Sequence, residues 1–173
     1  MESERRPWER CEAKPTGRIR DVRDNAGPVN DLAGLRRIVS GLAADGILTW
    51  VFGGWAEELR RLAPPRQHRD IDLLYPGSDF RPVDRLIEHR RLQAIPAKRF
   101  AHKRALVMND VMVELFLVRT DEDGASYTMF WERLRYDWPR DVLWFVDGVA
   151  VASASALRRY RADHAAVRRA AAP

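Results

Sequence analysis

The stretch WVFGGWAEELRRLAPPRQHRDIDLLYP, residues 50–76, constrains this chain more than any other. An apolar run halts at two adjacent glycines. A short charged segment follows, and a second apolar run carries Asp70 and Asp72 one residue apart. That second run reads as a strand. Side chains alternate along a strand, so Asp70 and Asp72 turn to one side and Ile71 and Leu73 to the other. Aspartate is depleted in strands and costly to bury unpaired. Two readings accommodate the pair. Either the aspartates pair with Arg66, His68 and Arg69 at an exposed strand end, or they share a divalent cation. Magnesium prefers hard oxygen ligands, commonly one or two protein carboxylates, and completes its shell with water and substrate phosphates.

Gly53 and Gly54 end a strand and precede a helix. One reading is a plain turn that needs positive φ. The other is a cradle, where the backbone approaches a phosphate closely and the unsatisfied N–H groups of a helix start favour an anion. A Walker A loop is excluded, because no lysine and no Ser/Thr stand in the required places. A third carboxylate, Glu114, sits at the centre of the apolar run DVMVELFLV. Either it faces water from an edge strand, or it joins the aspartates as a second metal ligand or as a base for an attacking hydroxyl.

The 173 residues suit one domain, and the 46% apolar content supplies a core. Residues 1–27 are polar and aperiodic and read as a mobile N-terminal arm; 28–173 read as a single domain. A helix is expected over 28–46, with Leu32, Leu35, Ile38, Val39 and Leu42 at helical spacing, Asn30 or Asp31 as cap and Gly46 as stop. A strand follows over 47–52, then a short helix ended by Pro64 and Pro65, and the strand at 70–75. Ser78 or Asp79 caps a helix to about residue 91. Strands are expected near 92–97, 103–108 and 111–118, with Asn109-Asp110 as a hairpin turn. The segment 119–125 reads as a polar loop, and YTMFWERL stays open between strand and helix. Asp147-Gly148 marks a clear hairpin. A final helix near 154–170 presents Leu157, Tyr160, Ala165 and Val167, and Ser153 and Ser155 read as its caps. Together these elements argue an α/β or α+β domain with a mixed β-sheet and flanking helices.

Net charge is +5, carried by arginine, with Lys14, Lys98 and Lys103 the only lysines. A basic chain is predisposed toward anionic partners. No apolar run reaches the roughly eighteen residues of a membrane span, and no secretory signal is expected. Cys11 is the only cysteine. It permits no intramolecular disulfide and points to a reducing, cytoplasmic setting. The four histidines show no zinc spacing. Trp131, Tyr136, Trp138 and Trp144 read either as core or as an aromatic wall.

The combination GGWA at 53–56, RQHRDIDL at 66–73 and VELFLV at 113–118 resembles the nucleotidyltransferase superfamily. It is most similar to the small bacterial aminoglycoside 2''-adenylyltransferases and lincosamide nucleotidyltransferases. The late stretch VDGVAVASASALRRYRADH resembles the hairpin and helix that close members of this group, whereas the LAPPRQ connector departs from them by lacking a glycine. The resemblance implies that Asp70 and Asp72 hold Mg2+ on a nucleoside triphosphate, with ATP the expected donor. It implies that Gly53 and Gly54 cradle the phosphates, with Arg66, His68 and Arg69 neutralising phosphate charge. Glu114 would hold a second metal or take the hydroxyl proton. The implied partners are a nucleoside triphosphate and a small hydroxylated acceptor, such as an aminoglycoside or lincosamide; no membrane or stable nucleic-acid partner is expected. Two competing expectations are a toxin-type nucleotidyltransferase acting on protein or RNA, and a non-catalytic nucleotide-binding module.

Overall fold

The computed structural model describes residues 30–170. The expected arm over 1–27, and Cys11 with it, lies outside the described residues.

Helix α1 (Leu32–Ala44) begins where Asp31 Oδ1 accepts the Gly34 N–H at 2.6 Å. It buries Leu35, Ile38 and Leu42. Gly46 adopts φ +77°, and the Ile47 N–H closes back on the Leu42 carbonyl at 2.8 Å. This is the geometry of a left-handed helix stop. It consumes the Ile47 N–H that an expected 47–52 strand would pair, and Leu48 is left 61% exposed. Strand β1 is therefore only Trp50–Phe52.

Helix α2 (Gly53–Leu59) starts at the glycines themselves. It stops before the prolines expected to end it, because Arg61 turns to φ +57° and the Leu62 N–H bonds to the Glu57 carbonyl. Strand β2 (Asp70–Pro76) follows, then α3 (Arg81–His89). The expected strand over 92–97 shrinks to β3 (Gln93–Ala94), since Pro96–Lys98 form a 3₁₀ turn. Strands β4 (Lys103–Met108) and β5 (Val111–Thr120) form the expected hairpin. Asn109 and Asp110 at its tip both have positive φ, as a two-residue hairpin turn requires. The open segment resolves as β6 (Ser126–Phe130), a tight turn through Trp131 and Glu132, and β7 (Leu134–Asp137). Strands β8 (Leu143–Val146) and β9 (Val149–Ala152) meet at Asp147-Gly148.

The main sheet runs β3-β4-β5-β2-β1-β9-β8, with β6 and β7 branching from the far end of β5. Pairs β2–β5 and β1–β9 are parallel and the others antiparallel, so the sheet is mixed. Helix α4 (Ala154–Arg169) is capped by Ser153, whose Oγ accepts the Ala156 N–H. Leu157 and Val167 are buried and Tyr160 packs against the core. Ala165, expected inward, is exposed because it lies off that helical stripe. Aromatic edges tie α4 to the sheet: Tyr160 meets Phe52 at 5.0 Å and stacks on Trp138 at 5.7 Å between centroids. Tyr136 and Trp138 are thus core residues, while Trp144 is exposed on β8. Among the described residues no helix is long and apolar enough to cross a membrane.

Candidate active site

Strand register assembles the site. Asp72 lies opposite Glu114 in the parallel β2–β5 pair and opposite Phe52 in the antiparallel β1–β2 pair. On β4, Ala105 pairs with Glu114 and Lys103 with Phe116. Cross-strand partners share a face. Phe52, Asp72, Lys103, Glu114 and Phe116 therefore project to one side, and Asp70, two residues before Asp72, joins them. Strand β5 has neighbours on both sides, so Glu114 is not an edge residue facing water; it is 5% exposed.

Glu114 receives two ammonium groups. Lys98, from the 3₁₀ turn, donates to Oε1, and Lys103, from β4, pairs with Oε2. Burial acts to raise the Glu114 carboxyl, but the hydrogen bonds and charges of Lys103 and Lys98 outweigh it and hold it below its usual range. Asp72 goes the other way. Burial, then the Asp70 and Glu114 charges, push its carboxyl up to about 7. Tyr160, buried over the same carboxylates, is raised to about 12. His102 is depressed to about 4 by burial and by Lys103, so it is neutral at physiological pH.

Gly53 has φ +59°, and a Cβ there would stand 2.3 Å from Asp72 Oδ2. Its missing side chain is what lets the carboxylate lie against the start of α2. A Cβ on Gly54 would instead meet Arg66 at 2.7 Å and the His68 ring at 2.9 Å. The second glycine thus makes room for the R-x-H segment.

Two adjoining cavities open on this face. One, of about 330 Å³, holds Asp70, Asp72 and Glu114 at one end and Trp131, Val167 and Arg168 in its walls. The other, of about 230 Å³, is bounded by Gly53, Gly54, Arg66 and Arg161. Phe52, Gly53, Tyr160 and His164 border both. Arg161 is held by Glu57 at 2.9 Å, with Arg66 4.0 Å from the same carboxylate oxygen.

The structure therefore brings together Asp70, Asp72, Glu114 and Gly53, and places Gly54 and Arg66 next door. His68 and Arg69 line neither cavity. His68 is buried, its Nε2 bonded to Glu58 at 2.9 Å and its ring 4.2 Å from that of Trp55. Arg69 is exposed. The alternative in which these basic neighbours pair with the aspartates is not what forms; Glu58 and Glu57 take His68 and Arg66 instead.

Several residues escaped the sequence reading. Asn30, expected only as a possible helix cap, donates to the His68 and Asp70 carbonyls and accepts from Trp55 Nε1. Lys98 and Lys103 did carry a signal. They are two of three lysines in a chain that otherwise uses arginine.

The sequence profile of the aminoglycoside-2''-adenylyltransferase family matches residues 34–151. The chain belongs to this family. It is accordingly a nucleotidyltransferase. Two solved structures share its fold. The lincosamide antibiotic adenylyltransferase LnuA, solved with lincomycin, aligns with a TM-score of 0.62 at 16% identity, covering 80% of this chain and 94% of that one. ANT(2'')-Ia, in complex with adenylyl-2''-tobramycin, aligns with a TM-score of 0.53 at 17% identity, covering 76% of each chain. No curated protein sequence matches the chain. The mixed sheet with its closing helix is the fold of this family.

The donor set at the aspartates fits a divalent cation. Two hard-oxygen carboxylates face one cavity; burial first, and then the charges of Asp70 and Glu114, raise Asp72, and a cation relieves that repulsion. Among the described residues no group of three or more His, Cys, Asp or Glu is arranged to hold a metal ion. Lysines engage both Glu114 oxygens, while Asp70 and Asp72 face the cavity.

Proposed function

We propose that the protein transfers a nucleoside monophosphate from a magnesium-bound nucleoside triphosphate, ATP in the first instance, to a hydroxyl of a small acceptor. The family's activity, and the lincomycin and adenylyl-2''-tobramycin complexes of LnuA and ANT(2'')-Ia, make an aminoglycoside- or lincosamide-type antibiotic the natural class to test. The observation that carries the reading is the register that sets Asp72 beside Glu114 while Gly53 admits the Asp72 carboxylate against α2.

Asp70 and Asp72 would hold the magnesium, which supplies charge neutralisation at the transferring phosphate and leaving group. Gly53, Gly54 and Arg66, with Arg161 across the smaller cavity, supply the surroundings for the β- and γ-phosphates. The acceptor oxygen attacks the α-phosphorus, the bond from that phosphorus to the bridging oxygen breaks, and pyrophosphate leaves. Glu114, kept ionised by Lys98 and Lys103, takes the hydroxyl proton. His68 and Arg69 act outside the cavities: His68 supports Gly54 and Glu58, and Arg69 contributes long-range positive potential. A cavity of about 330 Å³ suits a small acceptor rather than a macromolecular one.

The test is thermal unfolding with a panel of nucleoside triphosphates, with and without magnesium, for the wild type and Asp72→Asn. A ligand at about a hundred times its dissociation constant adds roughly 2.7 kcal/mol. A magnesium-dependent shift that the variant loses supports the reading. No shift, or an equal one in the variant, overturns the assignment of Asp72 to a magnesium–nucleotide site.

A further inference from the structure

The larger cavity is acidic at one end only. Asp70, Asp72 and Glu114 gather where strands β2 and β5 meet, and among the described residues the remaining lining carries no carboxylate. With a divalent cation on the aspartate pair, three basic side chains, Lys98, Lys103 and Arg168, face a single carboxylate, Glu114. The neutral His102 does not change that balance.

Another part of the lining is aromatic and firmly held. Trp131 keeps φ +55°, a left-handed backbone that is rare for a bulky residue. Its N–H donates to His102 Nδ1 at 3.2 Å and its indole Nε1 to the Val167 carbonyl of α4 at 3.2 Å. Phe100 packs on the Trp131 ring at 4.8 Å between centroids. Strain of this kind is retained where the surroundings over-determine it, and here it presents one indole to the cavity.

We infer that the acceptor is a hydroxyl compound with a flat or apolar ring face and no positive charge, neutral or anionic, and not a polyamine. Among the described residues a polycation would meet no carboxylate of this cavity beyond those already engaged by metal and lysines, and would lie against Arg168. Desolvating several ammonium groups without partners is costly. An apolar ring against Trp131 gains contact area, and an anionic substituent gains from the basic rim. The inference rests on the transfer reading above and, among its small hydroxylated acceptors, sets the polycationic aminoglycosides aside.

The experiment is calorimetric binding of three probes at low salt: p-nitrophenyl β-glucoside, p-nitrophenyl β-glucuronide and tobramycin. Each is titrated into the protein alone and into protein carrying magnesium and α,β-methylene ATP. The expected order is glucuronide, then glucoside, then tobramycin, with at least about tenfold between the first and last, or roughly 1.4 kcal/mol. Arg168→Glu should reduce the glucuronide advantage over the glucoside, and Trp131→Ala should weaken both glycosides. Tobramycin binding tightest, or neither glycoside binding, overturns the inference. So does displacement of the glycosides by the nucleotide analogue, because the aromatic wall would then belong to the nucleobase. If the analogue fails to bind while the probe order holds, the transfer reading falls and the charge preference stands.

Discussion

Gly53 and Asp72 are in such close contact that a Cβ at position 53 would lie 2.3 Å from Asp72 Oδ2. Gly53→Ala therefore carries two penalties, a strained φ of +59° and displacement of a carboxylate that faces the cavity. A strained backbone of this kind costs about 1–3 kcal/mol. Urea unfolding should show that loss, and magnesium-dependent nucleotide binding should fall further than stability does. Retained binding would separate Gly53 from the Asp72 site.

Asp72 makes the metal-free protein pH-sensitive. Its carboxyl is raised from the ordinary 3.8 to about 7, first by burial and then by Asp70 and Glu114. A raised acid favours folding while protonated. Its contribution is full below about pH 3.8 and is lost as pH rises through about 7. Denaturant midpoints measured without magnesium should drop across that window in the wild type and less in Asp72→Asn. Magnesium should restore the wild type at the upper end. Parallel profiles for the two proteins would remove Asp72 as the titrating group.

Glu114→Gln keeps the shape and removes the charge that Lys98 and Lys103 share. General base catalysis contributes about 10²–10⁴-fold, so the single-turnover rate should fall by that order while nucleotide affinity changes little. Two lysines left beside a neutral amide should also lower stability, and Lys103→Met combined with Glu114→Gln should recover part of it. An unchanged rate would take the proton from another group.

His68 is expected to act on stability more than on nucleotide affinity. It is buried, bonded to Glu58 and packed on Trp55. His68→Ala should cost about 2–3 kcal/mol through the lost packing and the lost hydrogen bond to Glu58. The nucleotide dissociation constant, measured well below the unfolding temperature, should move by only a few-fold. A large loss of affinity at preserved fold would place His68 among the phosphate ligands.

Asn30 makes three side-chain hydrogen bonds: to the His68 carbonyl at 3.2 Å, to the Asp70 carbonyl at 3.1 Å and from Trp55 Nε1 at 3.2 Å. Asn30→Ala should destabilise by about 1–3 kcal/mol, since it strands part-buried polar groups. It should also loosen β2 at Asp70, which magnesium titration would report as weaker binding. Asn30→Asp, which keeps an acceptor for Trp55 but turns a carboxylate oxygen toward the two carbonyls, should cost at least as much.

Much of this was readable from local pattern. The D-x-D alternation placed Asp70 and Asp72 on one face because strand periodicity is a local property. Asn109-Asp110 and Asp147-Gly148 marked their hairpins because positive φ demands particular residues. Helix ends were read less well. Arg61 stops α2 in a conformation no arginine advertises, and the Ile47 N–H goes to a helix carbonyl instead of a strand.

What the sequence determined by itself was the inventory: a mixed α/β domain, three carboxylates in apolar strands, and two glycines where a strand becomes a helix. What only the tertiary structure decided was who meets whom. Glu114 is forty-odd residues from Asp72, and the parallel register that makes them neighbours is set by the packing of the whole sheet. The same packing gave Lys98 and Lys103 to Glu114, sent His68 to Glu58, and turned Trp131 into the cavity wall. Charge pairing and burial depend on distances across the fold, and spacing along the chain carries no record of them.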